Sequence, residues 1–223
     1  EYSYPYHKEG AGPLYRGKDA SDYNHNQDIL AVENIRRWFD YWQERPGTGT
    51  RISSGGVKII FSDTNTHFRG EENYRRSGVT DAMRIPKDAF YTHQVMWDGW
   101  VDIEQPRIHI IGHWNYKEDV IKPVYVVSGA DKVELFLNGK SLGEGEREYH
   151  FLYTFKDVQF ETGKLEAIGY DETGKECCRT ELQTAGKPEE IRLTFVQSPD
   201  GWKADGADTV SYTHLRAHET RGN

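Results

Sequence analysis

Between residues 28 and 44, Ile35, Trp38, Phe39 and Trp42 fall at i, i+3, i+4 and i+7 among polar neighbours. That spacing predicts an amphipathic helix, and Pro46-Gly47 would stop it. A loop of Gly, Thr and Ser leads to residues 57–62 (Val-Lys-Ile-Ile-Phe-Ser), whose β-branched content predicts a strand. Apolar on both sides, such a strand suits a parallel sheet buried on both faces. A long polar segment, residues 63–84, follows. Pro86 fits the first position of a second helix, in which Ala89, Phe90, His93, Met96 and Trp97 would share one face. Helix, strand, loop and helix in this order predict the closing part of an α/β unit.

Beyond residue 102 the period shortens. Residues 123–127, 132–137, 149–155, 164–170 and 175–182 read as strands separated by turn signals. In 132–137, Val133, Leu135 and Leu137 alternate with Lys132, Glu134 and Phe136, the two-residue period of a half-buried strand. Asn138-Gly139 comes next, the dipeptide suited to a hairpin turn with two positive φ angles, and residues 171–174 resemble a second hairpin turn. Strands without helical interruption predict an antiparallel β-sandwich. After a Gly/Pro linker at 185–188, residues 191–196 read as the first strand of another sandwich. Cys177 and Cys178 are adjacent on a predicted strand, where side chains point to opposite faces, so a disulfide between them is not expected.

The chain has 223 residues, with 28 Lys plus Arg against 36 Asp plus Glu, a formal net charge of −8. A nucleic-acid or anionic-membrane partner is therefore not expected. The 13% aromatic content argues for a packed core, and no window is apolar enough for a membrane helix. The first residue is Glu1, within an aromatic segment, so the natural start is expected elsewhere. Residues 210–223 resemble a translated sequencing adapter and are set aside as not native.

The segments 1–2 (Glu-Tyr), 38–42 (Trp-Phe-Asp-Tyr-Trp) and 55–63 (Gly-Gly-Val-Lys-Ile-Ile-Phe-Ser-Asp), taken in order, resemble the last two strands of the catalytic barrel of glycoside hydrolase family 2. Residues 73–78 (Asn-Tyr-Arg-Arg-Ser-Gly) and 84–89 (Arg-Ile-Pro-Lys-Asp-Ala) are similar to the stretch that closes that barrel. Residues 112–116 and 133–143 resemble the sandwich domain behind it. The resemblance implies an α/β plus all-β chain: residues 1–103 as the C-terminal portion of a (β/α)8 barrel, 104–185 as an immunoglobulin-like antiparallel sandwich, and 186–209 as the start of a further one.

It also implies a retaining exo-β-glycosidase, in which two carboxyl groups about 5 to 5.5 Å apart act as nucleophile and acid/base. Glu1 takes the nucleophile's place, although read alone it is only an exposed terminal acid. The acid/base is expected upstream of this sequence. Family β-glucuronidases hold the sugar carboxylate with Asn-x-Lys where this chain has Asn73-Tyr74-Arg75, and an Arg fork can meet a carboxylate in a bidentate way. Asn73 and Arg75, with Asp63 and Asn65 in the same loop, are thus the substrate-binding candidates. The other reading of the loop pairs Arg75 and Arg76 with Glu71 and Glu72. A Trp that stacks on the sugar in the family is replaced by Ile59. Trp100 and Trp114 are expected to pack barrel against sandwich, and His113 to be an interface histidine.

No metal or cofactor is expected, since Asp63, Asn65 and His67 form a trio without a fourth ligand. The expected partners are a glycoside or oligosaccharide substrate and, in a homo-oligomer, further copies of the chain. Family habit places such an enzyme in the periplasm or outside the cell. The expected substrate is a β-galactoside. The alternatives are a β-glucuronide or β-galacturonide, resting on Asn73 and Arg75, and a non-catalytic carbohydrate-binding or scaffolding module.

Overall fold

The computed structural model describes residues 31–36, 60–64 and 78–187, residue 100 by its backbone only, together with the backbone of 7–8, 12–13, 188–191 and 215–217. The chain divides into two compact units, Glu1–Leu182 and Gln183–Asn223. In the first, β1 (His7–Lys8) and β2 (Gly12–Pro13) form a short antiparallel pair. Residues 31–36 are helical (α1), and the rest of the helix expected over 28–44 lies outside the described residues. Of the strand expected at 57–62, only its end is described. There Ser62 makes an isolated parallel bridge to Thr80, which bridges Pro86 on its other side.

Helix α2 spans Asp88–Val101. Pro86 therefore precedes the helix instead of opening it, because its backbone is engaged in the bridge to Thr80. The buried stripe is Ala89, Thr92, Val95 and Met96, rotated from the face expected in the sequence, and Trp97 is 68% exposed. Thr92 can sit inside because its hydroxyl donates to the Ala89 carbonyl at 2.9 Å. Val95 and Met96 of this stripe join Ile35 of α1, and Phe151 and Leu152 of the sandwich, in one apolar cluster. A Cβ at Gly99 would lie 2.4 Å from Phe151 Cε1, so the helix is glycine where the ring approaches its backbone.

The sandwich consists of β3 (Ile108–Ile111), β4 (Ile121–Ser128), β5 (Lys132–Leu137), β6 (Lys140–Glu144), β7 (Glu146–Glu148), β8 (Leu152–Gln159), β9 (Lys164–Tyr170) and β10 (Glu176–Gln183). They form two four-stranded antiparallel sheets, ordered β3-β4-β8-β7 and β10-β9-β5-β6. The chain passes from one sheet to the other between β6 and β7 at Gly145, whose N–H still donates to Val133 of β5 at 3.0 Å. Val124, Val126, Tyr153 and Phe155 from one sheet pack on Val133, Leu135, Leu137, Leu165 and Ala167 from the other. Trp114 is sealed in this core at 2% exposure, with its indole N–H on the Glu161 carbonyl at 3.0 Å. It thus packs inside the sandwich, not between barrel and sandwich, because its neighbours are Tyr116 and Phe160. The Trp100 side chain lies outside the described residues.

The turn chemistry is as the sequence predicts. Asn138 (φ 52°) and Gly139 (φ 80°) are both left-handed and join β5 to β6. At the second turn the Asp171 carboxylate accepts from the Thr173 and Lys175 amides at 2.9 and 3.0 Å. Three differences from expectation have local causes. The strand expected at 149–155 begins at Leu152, because Tyr149 (φ 48°) and His150 (φ 63°) turn the chain. Pro123 is tolerated in β4 because the register with β8 shifts between Lys122 and Val124, opposite the left-handed Asp157. Three strands escape the sequence pattern, of which β6 is exposed along its whole length and β7 is three residues long.

Cys177 is exposed and Cys178 half-buried, with both thiols free. Burial pushes the Cys178 thiol up to about 12. In the second unit, β11 (Pro188–Ile191) pairs antiparallel with β12 (Leu215–Ala217), so pairing begins before the strand expected at 191–196 and uses part of the segment set aside. Residues 192–196 lie outside the described ones. No described helix is long and apolar enough to cross a membrane.

Candidate functional site

Of the candidates named from sequence, Glu1, Asn65, Asn73 and Arg75 lie outside the described residues, as do Ile59, His67, Glu71, Glu72 and Arg76. Asp63 is described, and it lies just before the segment 65–77 that contains Asn65, Asn73 and Arg75. The described residues are the two ends of that segment.

Those ends are joined through backbone. The Phe61 carbonyl accepts from the N–H groups of Val79 and Thr80, both at 3.0 Å, and from the Thr80 hydroxyl at 3.2 Å. The Asp63 N–H returns a bond to the Thr80 carbonyl at 3.0 Å. Ser62 donates its hydroxyl to the Asp81 carbonyl at 2.7 Å. Asp81 in turn folds the next turn over itself, accepting from the Met83 and Ile85 amides at 2.8 Å each, which holds Arg84 at φ 65°. Thr80 is 2% exposed and Val79 6%, so these bonds are shielded from water.

The Asp63 carboxylate adds a side-chain tie. One oxygen accepts from the Gly78 N–H at 2.9 Å, and the other meets Lys87 Nζ at 2.7 Å. The side chains are 15% and 27% exposed, so the pair is screened less than a surface ion pair. Gly78 is required by the fit: a Cβ there would stand 2.4 Å from the Asp63 nitrogen. Lys87, Gly78 and Thr80 escape sequence reasoning because their partners are distant in the chain.

The adjacent residue continues the tie. Asp88 opens α2, accepting from the Gly112 N–H at 3.1 Å with one oxygen and meeting His109 Nε2 at 2.8 Å with the other. Tyr91 stacks on the same imidazole with centroids 4.3 Å apart. His113 accepts at Nδ1 from the Asn115 N–H at 2.9 Å, and its ring stacks on Tyr116 at 4.4 Å. Consecutive residues of opposite charge, Lys87 and Asp88, thus connect the loop root to helix α2 and to strand β3. Among the described residues no group of three or more His, Cys, Asp or Glu could hold a metal.

Comparison with known proteins shows what the chain is similar to. A family described as "Domain of unknown function (DUF4982)" matches residues 119–178, within the sandwich. A protein of Formosa agariphila named beta-glucuronidase is 35% identical over 216 residues, which is 92% of this chain and 21% of that protein. A protein of Bacteroides ovatus named beta-galactosidase BoGH2A is 35% identical over 148 residues, 66% of this chain and 16% of that one. Among solved structures, a beta-glucuronidase from glycoside hydrolase family 2 superposes with a TM-score of 0.67 at 32% identity, covering 86% of this chain and 20% of its own. Bacteroides uniformis beta-glucuronidase 2, covalently bound to cyclophellitol-6-carboxylate aziridine, superposes with a TM-score of 0.52 at 26% identity, over 70% of this chain and 19% of its own. The chain spans about a fifth of the length of these relatives.

Proposed function

We propose, for a chain that belongs to glycoside hydrolase family 2, that it forms part of a retaining exo-β-glycosidase acting on β-glucuronides. The observation that carries the reading is the 35% identity to a named beta-glucuronidase across 92% of the chain, a span that includes Asn73-Tyr74-Arg75. In this reading Glu1 is the nucleophile. It attacks the anomeric carbon to give a glycosyl-enzyme, while a second carboxyl group from beyond this sequence protonates the leaving oxygen and later activates water. Asn73 and Arg75 hold the sugar carboxylate, the guanidinium through two parallel N–H bonds. The sandwich supplies no catalytic group and braces the loop root through Asp88 and His109. The proposal extends to a periplasmic or secreted enzyme.

A β-galactoside is the second reading, favoured by the likeness to the Bacteroides ovatus protein. Arg75→Ala in the longer enzyme separates the two when assayed on p-nitrophenyl β-glucuronide and β-galactoside. Truncating one partner of a buried charge pair costs about 2 to 5 kcal/mol, so kcat/KM on the glucuronide should fall by about 30-fold or more. The galactoside should lose less than about fivefold. Equal losses on both would remove the uronate assignment, and no turnover of either would remove the glycosidase reading.

A further inference from the structure

We infer that Asp63, a substrate-contact candidate by position, is instead a positioning residue that holds the two described ends of the segment 64–78 together and does not itself touch the sugar. The inference rests on the glycosidase reading above and specifies what one residue of that site does. Each carboxylate oxygen is already engaged within the protein, one by the Gly78 amide and one by Lys87. The backbone bonds from Phe61 and Asp63 to Val79 and Thr80 bring the loop ends together. The Thr80–Pro86 bridge and the Lys87 N–H, which donates to the Val79 carbonyl at 3.0 Å, tie that root to the start of α2. The Asp63–Lys87 pair adds a side-chain tie to the same place from the other end of the segment.

The identity of Lys87 supports the same conclusion. It occupies the N-cap position of α2 and makes no side-chain capping bond there. Ser, Thr, Asp or Asn would cap better, and a cation at this end opposes the helix dipole. Helix formation therefore gives no reason for a lysine at this position, whereas the carboxylate at 2.7 Å does. With Asp88 bound to His109 and Gly112 one residue later, the tie at Asp63 and Lys87 continues into the sandwich.

The test uses the longer enzyme with Asp63→Asn, which keeps an acceptor for the Gly78 amide but removes the charge, with Lys87→Met, and with both. Loosening the loop root should weaken substrate holding more than chemistry. Each single variant should raise KM on p-nitrophenyl β-glucuronide by about tenfold, with kcat falling by no more than about threefold. The double variant should be no worse than either single one, since both remove the same interaction. Additive effects, or an unmoved KM in variants that melt with the parent, would overturn the positioning role while leaving the glycosidase reading intact. A parent enzyme inactive on both glycosides would take down both. If Asp63→Asn fails to fold, the KM and kcat of Lys87→Met decide alone.

Discussion

The seam between α2 and the sandwich can be tested at one atom. Replacing Gly99 by alanine puts a methyl group 2.4 Å from Phe151 Cε1 and 3.0 Å from Cζ, well inside contact distance. Two effects oppose each other. Alanine favours the helix by about 1 kcal/mol over glycine, whereas forcing an extra carbon into a packed core costs about 1 to 3 kcal/mol. The ring decides the balance. Phe151 is 1% exposed and enclosed by Ile35, Val95, Met96 and Leu152, so it has nowhere to retreat. Overpacking should win by about 1 kcal/mol, lowering Tm by about 2 to 4 °C for a chain of this size. In a Phe151→Leu background the obstruction is smaller, and the same substitution should become neutral or stabilising. Urea titration and thermal scans of the four proteins give the cycle. A rise in Tm for Gly99→Ala in the parent, or an equal effect in both backgrounds, would refute the close approach of ring and helix.

Two further outcomes follow from the sandwich itself. Asn138→Ala should cost about 1 to 3 kcal/mol in urea unfolding, because the left-handed φ of 52° suits Asn better than Ala and the Lys164 amide loses its acceptor at 2.9 Å; Asn138→Gly should recover the backbone part. Tyr153→Phe removes a buried bond to the Ala130 carbonyl at 2.6 Å and should cost about 1 to 2 kcal/mol at pH 7. Burial raises that phenol from 10 to about 12, so the folded state disfavours ionisation. Its contribution is then present below pH 10 and is lost as pH rises from 10 through 12, and Tyr153→Phe should flatten that alkaline decline when unfolding is followed at successive pH values.

The sandwich was legible in the sequence wherever burial leaves a local mark. The alternation at Val133, Leu135 and Leu137 predicts β5 with its ends, because each apolar position faces the opposite sheet. Asn138-Gly139 predicts its hairpin because positive φ restricts residue choice. Strand β6 gave no such mark, since an edge strand exposed along its length has no apolar face to reveal it. The misplaced face of α2 has a similar origin. Trp97 is apolar by composition but exposed by position, while the inward Thr92 is polar and satisfied by its own helix. A pattern that equates apolar with inward rotates such a helix.

The candidate site was read in a different way, through order along the chain and not through contact. Resemblance singled out the loop of Asp63, Asn65, Asn73 and Arg75 from motif order. It could not tell a residue that faces a sugar from one that holds the loop, because both tasks select polar side chains at similar positions. The distinction lies in partners remote in sequence: Gly78 and Lys87 for Asp63, and His109 and Gly112 for Asp88. Lys87 and Asp88 carry opposite charges on consecutive residues, and each meets its complement on a different element. A single turn at the start of one helix therefore fixes two neighbours at once. Neutralising either residue should free one neighbour while leaving the other held, which makes the two ties separable by mutation although they are adjacent in the chain.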